Sequence, residues 1–244
     1  MAATRSPACV EIAGDIGLDF VWIDLEARGP SANDAPSVAD LQRAAEAADI
    51  DLLVRVPPDE PTMLQTVRNT GVNAVIVADI RSAAEVESIV DTCHFAVDGE
   101  PGGRWASFSR ANRWGDAPPE YPAEADENTV IGVMVEHPDA VADLEAIVSI
   151  PELDFVRIGA ADLSIQLGHP YDLEHESVRS TIDRIERTCR EADMPLSKKV
   201  ESATAFESAV ADGYRVLTIG RDLSIVRSTL RDRMGSIDRR MESG

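Results

Sequence analysis

Lysine is nearly absent from this 244-residue chain: Lys198 and Lys199 are the only two, and every other basic side chain is arginine. Cations are scarce altogether, 23 against 44 Asp and Glu, for a formal net charge of −21. A surface this acidic repels nucleic acid and anionic membranes, so neither is expected as a partner. Many carboxylates with few lysines suit a chain kept soluble in high salt, where screening removes most self-repulsion. A halophilic cytoplasm is the expected setting. Aromatic residues make up only 5% of the sequence, so Val, Ile, Leu and Ala must fill a core drawn from its 44% hydrophobic content. Cysteine is limited to Cys9, Cys93 and Cys189, an odd number, far apart and without C-x-x-C spacing. That argues against a disulfide framework and a four-cysteine zinc site, and favours a reducing compartment. No apolar run approaches the roughly 18 residues of a membrane span. Residues Met1 to Cys9 lack both the basic and the apolar region of a signal peptide.

What is present is a regular alternation. Short runs rich in β-branched residues predict strands at Phe20–Leu25, Leu52–Val56, Ala74–Ala78, Val130–Glu136, Phe155–Gly159, Leu196–Val200 and Arg215–Gly220. Their continuous apolar character fits strands buried on both faces of a parallel sheet. Helical patterns separate them. Ser82-Ala-Ala-Glu85 is a capping box opening a helix to about Cys93. Val178, Ile182, Ile185 and Cys189 recur at helical spacing. Pro138 suits a first helical turn, and Gly213 a helix C-terminus. Strand then helix, repeated over a chain near the typical barrel length of about 250 residues, predicts one (β/α)8 TIM-type barrel domain spanning residues 1–244. Seven strands are legible where a closed barrel wants eight. The first is missing or vestigial: either Met1–Arg5 supplies it or the chain is truncated. A long connection at about 94–128, rich in Gly, Pro, Arg and Trp, is expected to be a lid or an oligomer contact. A last helix is expected at about 222–241.

Barrel enzymes carry their chemistry at the C-terminal ends of strands. Those ends offer Asp24, Glu26, Arg55, Asp79, Glu136, His137, Asp162, Lys198, Lys199 and Arg221. Glu136 and Asp162, from neighbouring strands, form a candidate pair for a hard divalent ion, since Mg²⁺-type sites use one or two carboxylates plus waters and substrate oxygens. His137 adjoins Glu136 but points to the other side of its strand. The lysine pair opens a Schiff-base route, against the plainer reading of a surface pair or subunit salt bridge.

Four segments occur in a telling order: Ile23-Asp24-Leu25-Glu26, Val54-Arg55-Val56-Pro57-Pro58, Val133-Met134-Val135-Glu136 and Ile158-Gly159-Ala160-Ala161-Asp162-Leu163-Ser164. With Arg110-Ala111-Asn112-Arg113-Trp114 and the closing Val216-Leu217-Thr218-Ile219-Gly220, they resemble the HpcH/HpaI class II aldolase family over roughly Ser6 to Met234. The resemblance implies a metal-dependent carbon–carbon lyase that cleaves a 4-hydroxy-2-oxo acid to pyruvate and an aldehyde. It further implies Mg²⁺ or Mn²⁺ held by Glu136 and Asp162, and Arg55 and Asp24 as catalytic residues. The substrate would be gripped by Arg55 and by backbone N–H groups at Ala161 and Asp162. A homo-oligomer, hexamer or trimer, with its last helix exchanged between subunits, is implied as well. The chain departs from the family's pattern twice. The family's general-base histidine, which follows the glutamate matching Glu26, is Ala27 here, and the glutamine often found near the metal is Met134. His169, on the loop after the Asp162 strand, is one substitute base; a metal-bound hydroxide is another. Two other functions stay open: a CoA-thioester lyase of the citrate-lyase type, and a non-catalytic homologue that binds metal or 2-oxo acid.

Overall fold

β-Branched and aliphatic runs bury both faces of every central strand, and the chain answers with a curled, all-parallel sheet. The computed structural model describes residues 1–2, 4–26, 35–96 and 102–242. In chain order the elements are α1 (Pro7–Asp15), β1 (Phe20–Asp24), α2 (Ala35–Ala47), β2 (Asp51–Val56), α3 (Pro61–Asn69), β3 (Ala74–Val77) and α4 (Ala83–Cys93). Then come α5 (Tyr121–Glu127), β4 (Val130–Val135), α6 (Pro138–Ala142), α7 (Leu144–Ile147), β5 (Phe155–Ile158) and α8 (Ala160–Gln166). The chain continues with α9 (Glu176–Glu191), β6 (Leu196–Lys199), α10 (Ala203–Ala211), β7 (Tyr214–Thr218) and α11 (Asp222–Glu242). The seven strands pair in sequence order, β1 to β7. All seven sequence-predicted strands are present, each shifted by no more than two residues at an end.

The pleat sorts side chains to two cores. One lies between sheet and helices and holds residues such as Ile23, Val54, Val75, Val133 and Val156. The other fills the concave side with Trp22, Leu53, Ile76, Ala78, Met134 and Phe155. Gly132 is what admits Phe155 there, because a Cβ on it would lie 2.2 Å from the ring. The helix signals hold as well. The Ser82 side chain caps α4 by accepting from the Glu85 N–H, Pro138 opens α6, and Gly213 follows α10 at φ +91°.

No eighth strand stands among the described residues. Instead Met1 and Ala2 bridge the gap between the sheet edges. The Ala2 N–H donates to the Trp22 carbonyl at 2.8 Å, the Met1 amino group to the Gly220 carbonyl at 2.8 Å, and the Asp222 N–H to the Met1 carbonyl at 3.1 Å. A two-residue contact satisfies the edge groups without enough residues to make a strand.

The described part of the long connection does not cover the rim where the strands end. Helices in a parallel sheet run back against the strands, so their C-termini mark the opposite face. There the described part of the connection sits: Arg110 pairs with Glu46 near the end of α2 and donates to the Thr70 carbonyl, and the Ala111 N–H donates to the carbonyl of Asn69. The expectation of a lid over the chain's own rim therefore fails for these residues.

Candidate active site at the C-terminal rim

Glu136 follows β4 directly, and its carboxylate is the most unusual group on the rim. The residue is only 4% exposed. Oε1 accepts from the Asp79 N–H at 2.8 Å, whereas Oε2 is buried and has no hydrogen-bond partner among the described residues. Asp79 can aim its amide there because it adopts a left-handed φ of 47°. Gly159 makes the space: a Cβ at that position would fall 2.1 Å from Oε2. The residue that follows β5 beside it therefore has to be glycine. Burial, with added repulsion from Asp162 and Glu26, pushes the Glu136 carboxyl up to about 7, against the Asp79 N–H and the Arg55 charge. An orphaned buried carboxylate oxygen lacks a cation, and that fits a metal ligand.

Asp162 stands in the first turn of α8, exposed on the same rim. Among the described residues no group of three or more His, Cys, Asp or Glu could hold a metal ion. A site built here therefore has two protein carboxylates and leaves its remaining positions to water and substrate oxygens.

Arg55, near the end of β2, lies across from this pair. Its Nε and Nη2 bind the two oxygens of Asp24 at 3.0 and 2.7 Å, a bidentate fork. Nη1 reaches Glu26 Oε2 at 2.8 Å and the Met134 sulfur at 3.6 Å. Burial works against the Arg55 charge, but the Asp24 bonds together with the charges of Asp24, Glu26 and Glu136 more than offset it and raise the guanidinium above its usual value. The ion pair that would brace the sheet is thus present, and it also fixes the guanidinium beside Glu136. Glu26 is held above the ordinary glutamate range, first by burial and then by the charges of Asp24, Asp162 and Asp79, with Arg55 opposing.

The other sequence candidates go elsewhere. His137 caps α6 by accepting from the Asp139 N–H. The His169 ring stacks on His175 with centroids 3.3 Å apart, and among the described residues it makes no hydrogen bond to the rim carboxylates. Lys198 lies over the Tyr214 ring on the helix side at 4.1 Å, and Lys199 pairs with Glu201 at 2.6 Å. Neither lysine reaches Glu136. Arg221 is exposed beyond β7. Ala27 and Arg28 lie outside the described residues. Sequence reasoning passed over Arg157, although an arginine between Val156 and Ile158 in an apolar strand is itself a signal. Its guanidinium bonds Ser197 Oγ at 3.0 Å and covers the Trp22 ring at 4.7 Å, inside the concave face. Burial, then repulsion from Arg55 and Arg221, brings it down to about 10.

An acidic rim around the fixed Arg55, carried on a parallel α/β sheet, defines the class: a parallel α/β fold with a candidate site at the carboxyl ends of its strands. The chain belongs to the HpcH/HpaI aldolase/citrate lyase family, whose model matches residues 2–229. Among curated relatives, a 4-hydroxy-2-oxovalerate aldolase of Rhodococcus jostii (strain RHA1) is 34% identical over 180 residues, covering 72% of this chain and 67% of its own. A hydroxypyruvate/pyruvate aldolase of Roseobacter denitrificans is 26% identical over 219 residues, covering 90% and 84%. Among solved structures, an HpcH/HpaI aldolase/citrate lyase family protein from Burkholderia cenocepacia J2315 superimposes with a TM-score of 0.88 at 25% identity, covering 97% of this chain and 92% of that one.

Proposed function

We propose that this chain is a carbon–carbon lyase that cleaves a 4-hydroxy-2-oxo acid to pyruvate and an aldehyde. The observation that carries this reading is the buried, unpartnered Oε2 of Glu136, opposite Gly159 and beside the fixed guanidinium of Arg55. Glu136 and Asp162 would hold the ion, and an oxygen-only site suits Mg²⁺ or Mn²⁺. When bound, such an ion polarises the 2-oxo group and spreads the negative charge that grows as the C3–C4 bond breaks. Arg55 donates to the oxygen where that charge collects, and its fork to Asp24 keeps it from swinging away. The backbone N–H groups of Ala161 and Asp162, at the start of α8, take the substrate carboxylate.

The wider reading follows from the same set. The seven strands and the Met1–Ala2 bridge serve as a (β/α)8-type barrel in one domain over residues 1–244. Its setting is a salt-rich cytoplasm, and its partners are a 2-oxo acid, an aldehyde and further copies of itself. The test is pyruvate release from 4-hydroxy-2-oxo acids in high salt with Mg²⁺ or Mn²⁺. Release that stops with EDTA supports the lyase. Release that survives EDTA but stops with borohydride moves the chemistry to a lysine, and tight metal binding without turnover leaves a binding protein.

A further inference from the structure

Cleaving a 4-hydroxy-2-oxo acid requires something to take the proton of the C4 hydroxyl. The chain has four histidines, and each is engaged elsewhere. His94 Nδ1 contacts the Val90 carbonyl at the C-terminus of α4, on the face opposite the rim, and His137 caps α6. His169 and His175 stack on each other in the loop between α8 and α9. The two lysines are committed to Tyr214 and Glu201. Among the described residues that leaves the rim carboxylates, and their geometry separates them: Asp79 is paired with Arg81 at 2.8 Å, and Asp162 is one of the two proposed metal ligands. Asp24 has both oxygens tied to Arg55, one of them also to the Glu26 N–H at 3.1 Å. Glu136 has one oxygen on the Asp79 N–H and the other buried. Glu26 differs from both: Oε2 is held by Arg55 at 2.8 Å, its side chain is 27% exposed, and no hydrogen bond among the described residues engages Oε1.

We infer that Glu26 is the general base of the cleavage, working through Oε1 while Arg55 holds Oε2. This rests on the lyase reading above. Glu26 Oε1 takes the C4 hydroxyl proton, and the freed electron pair forms the aldehyde carbonyl. The C3–C4 bond breaks, and its pair passes to the 2-oxo group as an enolate. Glu26 then returns the proton to C3, the enolate collapses to the ketone, and pyruvate leaves. Nothing is oxidised or reduced, and the proton count closes. Arg55 stays charge-paired throughout, because Asp24 holds it whether or not Glu26 is protonated. Among the described residues, the charged groups around Glu26 are Arg55 on β2, Asp24 on β1, Asp79 after β3, Glu136 after β4 and Asp162 on α8. Burial and the charges of Asp24, Asp162 and Asp79 raise its proton affinity toward the range a base needs, and Arg55 holds it back.

The experiment compares wild type, Glu26→Gln and Glu26→Ala in high salt at saturating Mn²⁺. It follows pyruvate release, uptake of deuterium from D₂O into the pyruvate methyl group by NMR, and Mn²⁺ affinity by calorimetry. The expected result is a kcat lower by about 10²–10⁴-fold in the Gln variant, methyl exchange slowed in parallel, and Mn²⁺ affinity unchanged. The wild-type rise of kcat/KM with pH should vanish in the Gln variant, and formate should restore part of the Ala variant's rate. A limb caused by proton competition at the metal carboxylates would move with Mn²⁺ concentration; the Glu26 limb would not. A Gln variant that keeps wild-type kcat and exchange overturns the assignment while leaving the lyase intact. If the Gln variant does not fold, an Ala variant that formate cannot rescue overturns it equally. A wild type that binds Mn²⁺ yet neither cleaves nor exchanges overturns the lyase reading, and this assignment falls with it.

Discussion

Glu136 is a carboxylate that the fold prefers neutral until a cation arrives. Burial raises it to about 7, whereas the unfolded chain leaves it near 4.5. A group raised in this way contributes stability that is fully present below the unfolded value and is lost as pH climbs through the folded value. In EDTA, raising the pH from about 5 to about 8 should therefore remove roughly 2.5 kcal/mol of stability that Glu136→Gln does not lose. The check is urea denaturation of both proteins at each pH, since other carboxylates cancel in the difference. Mn²⁺ at the upper pH should restore the wild type and leave the Gln variant unmoved. A difference that stays flat with pH would mean that water, not protein, surrounds the carboxylate. Much of this was legible in the sequence. Strand ends named Glu136, Asp162, Arg55 and Asp24, because the end of a buried strand is where a charged side chain can first reach solvent. What stayed hidden needed distances. The close approach of Gly159 to Oε2 and the left-handed turn that aims the Asp79 amide are contacts between chain segments 23 and 57 residues apart. Local pattern contains neither.

Elements were easier to read than their surroundings. All seven strands could be placed, because an apolar β-branched run has few other uses in an acidic chain. Which side of a strand faces inward could not be read, because strands buried on both faces lose the alternation that marks a solvent side. Trp22 and Arg157, both on the concave face, were missed for that reason. The direction of the 94–128 connection was equally hidden, since loop length says nothing of the face it leaves from. α11 shows the reverse case, a pattern the single chain does not use. Leu223, Val226, Leu230, Met234 and Ile237 recur at helical spacing, and all are exposed, Leu230 by 56%. Such a stripe on a lone chain is an unsatisfied interface. If it docks on another copy, Leu230→Glu should convert the assembly to smaller species, seen by light scattering after gel filtration, while the circular dichroism of the fold persists. An unchanged mass would show that this stripe is not a subunit contact. Activity should fall less than mass if the rim is complete in one chain, and equally if it is not.

At the scale of the whole molecule, a net charge of −21 sets the terms for everything else. Compaction brings like charges together, and water alone screens them poorly. The Debye length is about 10 Å at 0.1 M salt and about 3 Å at 1 M, so repulsion between carboxylates several residues apart disappears across that range. The ion pairs do little to compensate. Several of those among the described residues are exposed arginine–carboxylate contacts, such as Arg179–Glu174 and Arg184–Glu145, and pairs of that kind contribute at most about 1 kcal/mol each. The melting temperature should therefore rise steeply between about 0.1 M and 1 M KCl and flatten above it. NaCl should act like KCl, because screening depends on ionic strength and not on which cation supplies it. A continued linear rise beyond that point would instead indicate exclusion of salt from the surface, and a flat curve would show that the acidic surface places no demand on the solvent. Substrate encounter should follow the same screening with the opposite limit. A 2-oxo acid is an anion approaching an anionic protein, drawn in locally by rim arginines such as Arg55, Arg157 and Arg221. KM should first fall as salt removes the general repulsion, then rise as it weakens the local attraction. A KM that only rises with salt would show that the arginines already govern the approach at low ionic strength.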